Sequence, residues 1–375
     1  MKIKNKNRLG KLRFNFVLIF LMLALLIVGC VFVYSASFYS SALIYGDKFF
    51  FLKKQVLGII VGFVGFFFFT FFDYKKLEKL RWVFLIASVI LLILVFVPGI
   101  GMTNYGATRW INLKVTTLQP SEIAKFAFIV FSASYFSKSA KKVKSFKGIL
   151  PILVVGALFC LLIIIEPNMS ITICMALLVV VMMMLGGARL KHFLMLAVPA
   201  VLLGVVLIIS APYRLKRLVA FIDPFASSKN EGFQLVQSLL AVSLGGMFGS
   251  GIFNSRQKYL FLPFAESDFI FSIIAEEIGF VGSLFVITLF VLLFLVIMKV
   301  AKNADSKFGF LLAAGVGAII IIQVMLNISV VTGIVPPTGL PLPFISAGST
   351  SIMIFMSMLG VVQNVHRQSV KSVIQ

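Results

Sequence analysis

The sequence predicts an all-α polytopic membrane protein, and three observations carry that prediction. Of 375 residues, 61% are hydrophobic and only 12% charged, with a mean hydropathy of +1.10. A water-soluble fold has no interior large enough to hide that much apolar surface. The apolar residues gather into ten runs, at about 14–37, 50–72, 80–98, 121–137, 149–165, 169–187, 192–210, 269–299, 308–334 and 343–365. Each is near the roughly 20 residues that cross a bilayer, allowing for tilt. Finally, Lys and Arg crowd into alternate connections, as the positive-inside rule requires for ten transmembrane helices with both ends in the cytoplasm. The net charge of +22 is therefore topology, and no nucleic-acid partner is expected.

Taken in order, the first run is too long for a signal-peptide core and lacks a small-residue cleavage site, so it reads as a retained first span. Residues 1–13 form a basic cytoplasmic N-terminus and 366–375 a cytoplasmic tail. Most connections are short, as adjacent antiparallel helices require. Two outward connections are long, at 99–119 and 211–267. The second makes 211–268 a large extracytoplasmic loop between spans seven and eight, too long to be a bare connection. Within it, 234–243 is amphipathic enough for an interfacial or re-entrant helix ending at Gly245-Gly246. A third outward segment, 333–350, is dense in Pro, Gly and hydroxyls. Backbone this irregular at membrane depth is tolerated only inside protein or along a wet cavity. No internal repeat is evident, which weighs against an inverted-repeat transporter.

The charged residues of these segments are the candidates for chemistry. A helix beginning near Ser267, with that residue as N-cap, puts Asp268, Ser272, Ala275 and Gly279 on one face. The helix N-terminus favours ionised Asp268, whereas neighbouring Glu266 raises its basicity. Local rules leave Asp268 either a cap or a working carboxylate. Glu276 and Glu277 lie deeper and are expected in structural ion pairs. Glu122 and Lys125 form an i, i+3 pair just after Pro120, a helix-start residue. Arg109 beside Trp110 can hold a phosphate or serve as an interfacial anchor. Glu166-Pro-Asn168 is expected to cap or pack at an outer hinge. Arg214, Lys216 and Arg217 suit anionic lipid phosphates or the membrane surface. Cys30, Cys160 and Cys174 sit in apolar runs without disulfide or metal spacing. With only His192 and His366, no histidine-based metal site is expected.

Together these segments resemble the SEDS family (shape, elongation, division and sporulation), which comprises the FtsW, RodA and SpoVE proteins. The resemblance covers essentially all ten spans. It rests on Gly106-Ala-Thr-Arg-Trp110, Gln119-Pro-Ser-Glu122 with Lys125, Glu166-Pro-Asn168, and Asp223-Pro224 with Gly232-Phe-Gln234. Further matches are Gln237-Ser238, Ser255-Arg-Gln-Lys258, Asp268-Phe-Ile-Phe271, Ala275-Glu-Glu277 and Gly339-Leu-Pro-Leu-Pro-Phe344. It implies a peptidoglycan glycosyltransferase that polymerises lipid II at the outer face of the bacterial cytoplasmic membrane, with Asp268 as general base. The implied substrate-binding residues are Arg109, Glu122, Lys125, Arg214, Gln257, Lys258 and Ser346; Glu166, Glu276, Glu277 and Pro343 support them. The implied partners are membrane lipids, other division proteins and a class B penicillin-binding protein transpeptidase. No cofactor follows from the residues, and a divalent cation stays open. In two places the chain departs from the family pattern. Phe264 stands where a Glu is usual, with Glu266 two residues on, and Ala347-Gly-Ser-Thr350 replaces a Gly-Gly-Ser-Ser pattern. Ser255-Arg-Gln-Lys258 is closer to the FtsW and SpoVE versions than to RodA. A lipid II flippase and a non-catalytic division scaffold are the competing functions. A flippase needs polar groups along the whole span, whereas a polymerase needs them at one face, where this chain concentrates its irregular backbone.

Overall fold

Long hydrophobic runs have one economical solution in lipid, the α-helix, because it satisfies every backbone N–H and C=O within the segment. In a computed structural model, residues 14–104, 107–112, 117–139, 142–210, 212–226, 232–337 and 339–374 are described. The chain runs through α1 (Phe16–Tyr45), α2 (Phe50–Phe71), α3 (Tyr74–Lys79), α4 (Arg81–Leu94), α5 (Pro120–Lys138), α6 (Phe146–Ile165) and α7 (Met169–Gly186). It continues through α8 (Leu190–Ile209), α9 (Pro212–Ile222), α10 (Phe233–Gly245), α11 (Ile270–Lys302), α12 (Lys307–Val331) and α13 (Ser349–Ile374). Among the described residues, six helices are long and apolar enough to cross a membrane: α1, α2, α6, α7, α11 and α12. The protein is a multi-pass membrane protein.

Local chemistry sets the helix ends. Asn15, Ser145, Asn168 and Ser306 each cap a helix by accepting a backbone N–H from the first turn, the role these side chains favour. Pro120 opens α5, where its missing N–H costs nothing.

α12 is the hub and the most deeply buried of these six helices. It packs on α5, α7, α11 and α13, while α13 lies along α2. Helices at the periphery turn Phe, Leu, Val and Ile outward, as on α2, α8 and the far side of α11. In lipid those faces carry no penalty.

One feature goes beyond the sequence reading, and a second follows it. Part of the 99–119 connection folds as a three-stranded antiparallel sheet in the order β1 (Gly101–Asn104), β2 (Ala107–Asn112), β3 (Thr117–Leu118). The amphipathic stretch of the large loop is helical, as α10, and runs from Phe233 to Gly245.

α11 is broken at Gly279, whose backbone (φ 66°, ψ −168°) is not helical. The polar groups freed by the break are taken up by the loop after α10. Phe280 and Val281 donate to the carbonyls of Gly246 and Met247, while Ser250 and Gly251 donate to those of Glu276 and Glu277. The two chains approach closely enough that a Cβ on Gly279 would lie 2.3 Å from the Gly249 nitrogen. Gly249 (φ +84°) faces it and is equally confined. This is a closed joint with its backbone accounted for, as burial demands.

Candidate functional site

Asp268 stands at the junction of the large loop and the 333–350 segment. α11 begins at Ile270, with Phe269 in the N-cap position and no side-chain cap, so the expected capping by Ser267 does not occur. A turn at Phe264 explains the late start. Phe264 takes a left-handed backbone (φ 57°), and its carbonyl accepts from the N–H groups of both Ser267 and Phe269. The chain is thus occupied in a turn where a helix was expected. Asp268 precedes the helix, and the shared face with Ser272 and Ala275 ends at the Gly279 break.

Asn327, Ser346, Ala347 and Gly339 fix the Asp268 turn against the opposing segment. Asn327 of α12 donates from Nδ2 to the carbonyl of Asp268 at 2.8 Å and to that of Leu340 at 2.6 Å. Ser346 donates to the Ser267 carbonyl and accepts from the Leu342 N–H at 2.7 Å. Ala347 N–H donates to the Glu266 carbonyl at 2.9 Å. Gly339, with φ +71°, lies directly against the carboxylate: a Cβ there would sit 2.9 Å from Asp268 Oδ2. Pro343 is buried within the same segment.

The electrostatics follow from this enclosure. Asp268 keeps part of its surface open, yet protein surrounds it densely. Burial pushes its carboxyl up to about 6, against the pull of Arg109, Arg217 and a Ser267 hydrogen bond. Burial also raises the Glu266 carboxyl, with the nearby Asp268 charge adding to the shift. Arg109, on β2, donates to the carbonyls of Glu166 and Pro167. The Glu166 side chain is fully buried, and neither carboxyl oxygen has a hydrogen-bond partner among the described residues. Its burial pushes it up to about 8, against the pull of Arg109. Such a carboxyl is largely neutral at pH 7.

The other candidates fall into two buried groups. Lys125 pairs with Glu122 at 2.7 Å and donates to Gln323 Oε1 at 2.7 Å, with the Phe355 ring 5.4 Å away. Gln323 in turn donates to the Pro341 carbonyl at 2.9 Å. Lys258 pairs with Glu277 at 3.0 Å and reaches Ser35 of α1 and the Phe253 carbonyl. Glu276 accepts from the backbone of Arg256 and Gln257 and from the Ser255 hydroxyl. Both ion pairs are wholly removed from solvent, so these charges are held by each other rather than presented to a substrate. Gln257 is likewise buried. Arg214 lies on α9, but its side chain falls outside the described residues, as does Gly106. Arg217 is exposed on α9.

Two contributors escaped the sequence reading, Asn327 and Gln323. Both carried a signal, since two amides four residues apart in an apolar run need partners. Among the described residues, no three or more His, Cys, Asp or Glu are grouped to hold a metal ion.

Comparison with known proteins decides the kinship. The cell cycle protein family FtsW/RodA/SpoVE matches residues 16–371. The chain belongs to this family. Stage V sporulation protein E of Bacillus subtilis is 38% identical over 95% of this chain and 97% of its own length. A probable peptidoglycan glycosyltransferase FtsW of Geobacter sp. strain M18 is 37% identical over 93% and 96%. Among solved structures, a chain from a peptidoglycan synthase complex in which polymerization and crosslinking are structurally coordinated aligns with TM-score 0.79. It is 26% identical, covering 95% of this chain and 98% of that one. The rod shape determining protein RodA of Thermus thermophilus shares the fold, with TM-score 0.68 at 24% identity over 95% and 97%.

Proposed function

We propose that this FtsW/RodA/SpoVE family member is a peptidoglycan glycosyltransferase that polymerises lipid II at the outer face of the bacterial cytoplasmic membrane. The observation that carries the reading is Asp268. It is a carboxylate part-open to solvent, at the meeting point of two irregular outer segments, with Arg109 and Arg217 near enough to act on its charge. In the proposed step, the 4-hydroxyl of the acceptor GlcNAc attacks the anomeric carbon of the donor sugar. A new C–O bond forms as the bond to undecaprenyl pyrophosphate breaks, and the hydroxyl proton passes to Asp268. A carboxyl titrating near 6 is mostly ionised at neutral pH yet basic enough to take that proton. Cationic groups favour the departing pyrophosphate. Arg109 and the exposed Arg217 have the placement for this, whereas Lys125 and Lys258 are committed to buried partners and hold the walls.

The same reading has ten spans, both termini in the cytoplasm, and a class B penicillin-binding protein transpeptidase as partner during division, elongation or sporulation. Its support is the charge pattern of the connections and the kinship to proteins named for these processes. The test is purified protein with lipid II, with and without its cognate transpeptidase. Wild type should make glycan chains and Asp268→Asn should not; equal chains from both would sink the role of Asp268.

A further inference from the structure

We propose that Asn327 is the positioning residue for Asp268, and that its side-chain amide sets where the carboxylate stands in the site. The inference rests on the reading of Asp268 as the base. Asn327 spends both hydrogens of one NH2 group on two carbonyls from different segments, Asp268 at 2.8 Å and Leu340 at 2.6 Å. The amide orientation follows from chemistry, because the flipped form would face its own oxygen with two acceptors. Next to Leu340 is Gly339, whose missing side chain leaves the Asp268 carboxylate its place. One amide therefore fixes both the backbone that carries the carboxylate and the surface against which it rests.

The anchor itself is rigid. One helical turn earlier on α12, Gln323 holds the neighbouring Pro341 carbonyl, and Lys125 with Glu122 of α5 holds Gln323. Proline at 341 and 343 leaves those residues no N–H with which to form a ladder, and the carbonyls of Leu340 and Pro341 are held by the side chains of Asn327 and Gln323. Ser346 accepts the Leu342 N–H and ties the segment to the Ser267 carbonyl. Asn327 is the one among them that touches the Asp268 residue itself.

The experiment uses the full chain in detergent or vesicles with lipid II, comparing wild type, Asn327→Ala, Asn327→Ser and Asp268→Asn. Rates are taken per folded molecule, with folding read from the thermal midpoint. For Asn327→Ala, kcat should fall about tenfold to a hundredfold while KM stays within about twofold, since misplacing a catalytic group by ~1 Å has that effect. Asn327→Ser keeps one short donor and should recover part of the loss. It also carries the comparison if the alanine variant does not fold. The second readout is independent of turnover: the infrared carboxyl band that Asp268→Asn removes, followed against pH. Without the amide the two segments part, water reaches the carboxylate, and the band should titrate closer to an ordinary Asp. A band that titrates at the wild-type pH in the Asn327 variants overturns the proposal whatever the rates do, as does an unchanged kcat. If Asp268→Asn still polymerises lipid II, the base assignment fails, and the band alone then decides whether Asn327 sets the Asp268 carboxyl.

Discussion

At Asp268, two opposing influences meet. Burial raises the carboxyl, two arginines and Ser267 lower it, and the balance falls near 6. A base must be ionised to accept a proton, so kcat/KM should rise with pH through a midpoint close to 6 and level off above it. Asp268→Asn should remove that ascending limb and lower the rate by roughly 10²–10⁴-fold. A pH–rate profile on both proteins checks this. Glu166 presents the opposite case. Its folded value near 8 lies above that of a free Glu, so the folded state binds the extra proton. The stability it contributes is complete below about 4.3 and is lost as pH rises toward 8. Glu166→Gln, isosteric with the neutral carboxyl, should flatten the fall in thermal midpoint between those values and leave polymerisation close to wild type. A midpoint that falls as steeply in the glutamine variant would remove Glu166 as the cause.

Among the elements, the break in α11 shows why this helix is two pieces joined by a loop. The peptide groups freed near Gly279 are satisfied by 246–251, and neither Gly249 nor Gly279 has room for a side chain. Gly279→Val should therefore unseat the loop, costing several kcal/mol by steric strain at a positive φ. Gly204, which has open space around its Cβ position, should accept Ala with little change. Thermal midpoints of the two variants in detergent make the comparison. The 99–119 connection illustrates the limit of reading by pattern. Its alternation is short and irregular, and β1 carries a register shift between Met102 and Thr103. Pairing of such strands is settled by what packs on them.

Across the whole molecule, two buried ion pairs tie distant parts of the chain together. Lys258–Glu277 joins the large loop to α11 and, through Ser35, to α1. Lys125–Glu122 joins α5 to α12 and the proline-rich segment. Removing one partner strands the other charge, so Lys258→Met should destabilise by about 3–5 kcal/mol, and Lys258→Met with Glu277→Leu should recover much of that. A double-mutant cycle on thermal stability reads the coupling; additive losses would count against it. The sequence alone determined the membrane class and the helical runs, and its motifs pointed to Asp268. These properties follow from composition and period, which bilayer thickness and backbone satisfaction translate directly into helices. It also paired Lys125 with Glu122 and expected ion pairs for Glu276 and Glu277, but it did not match Glu277 with Lys258. Only tertiary structure decided that Lys125 and Lys258 face inward, that Phe264 rather than Ser267 shapes the turn before α11, and that Asn327 holds Asp268. The Phe264 turn is local but leaves no mark in the hydrophobic period, while the Asn327 contacts depend on which distant donor meets which carbonyl, and no local period encodes that.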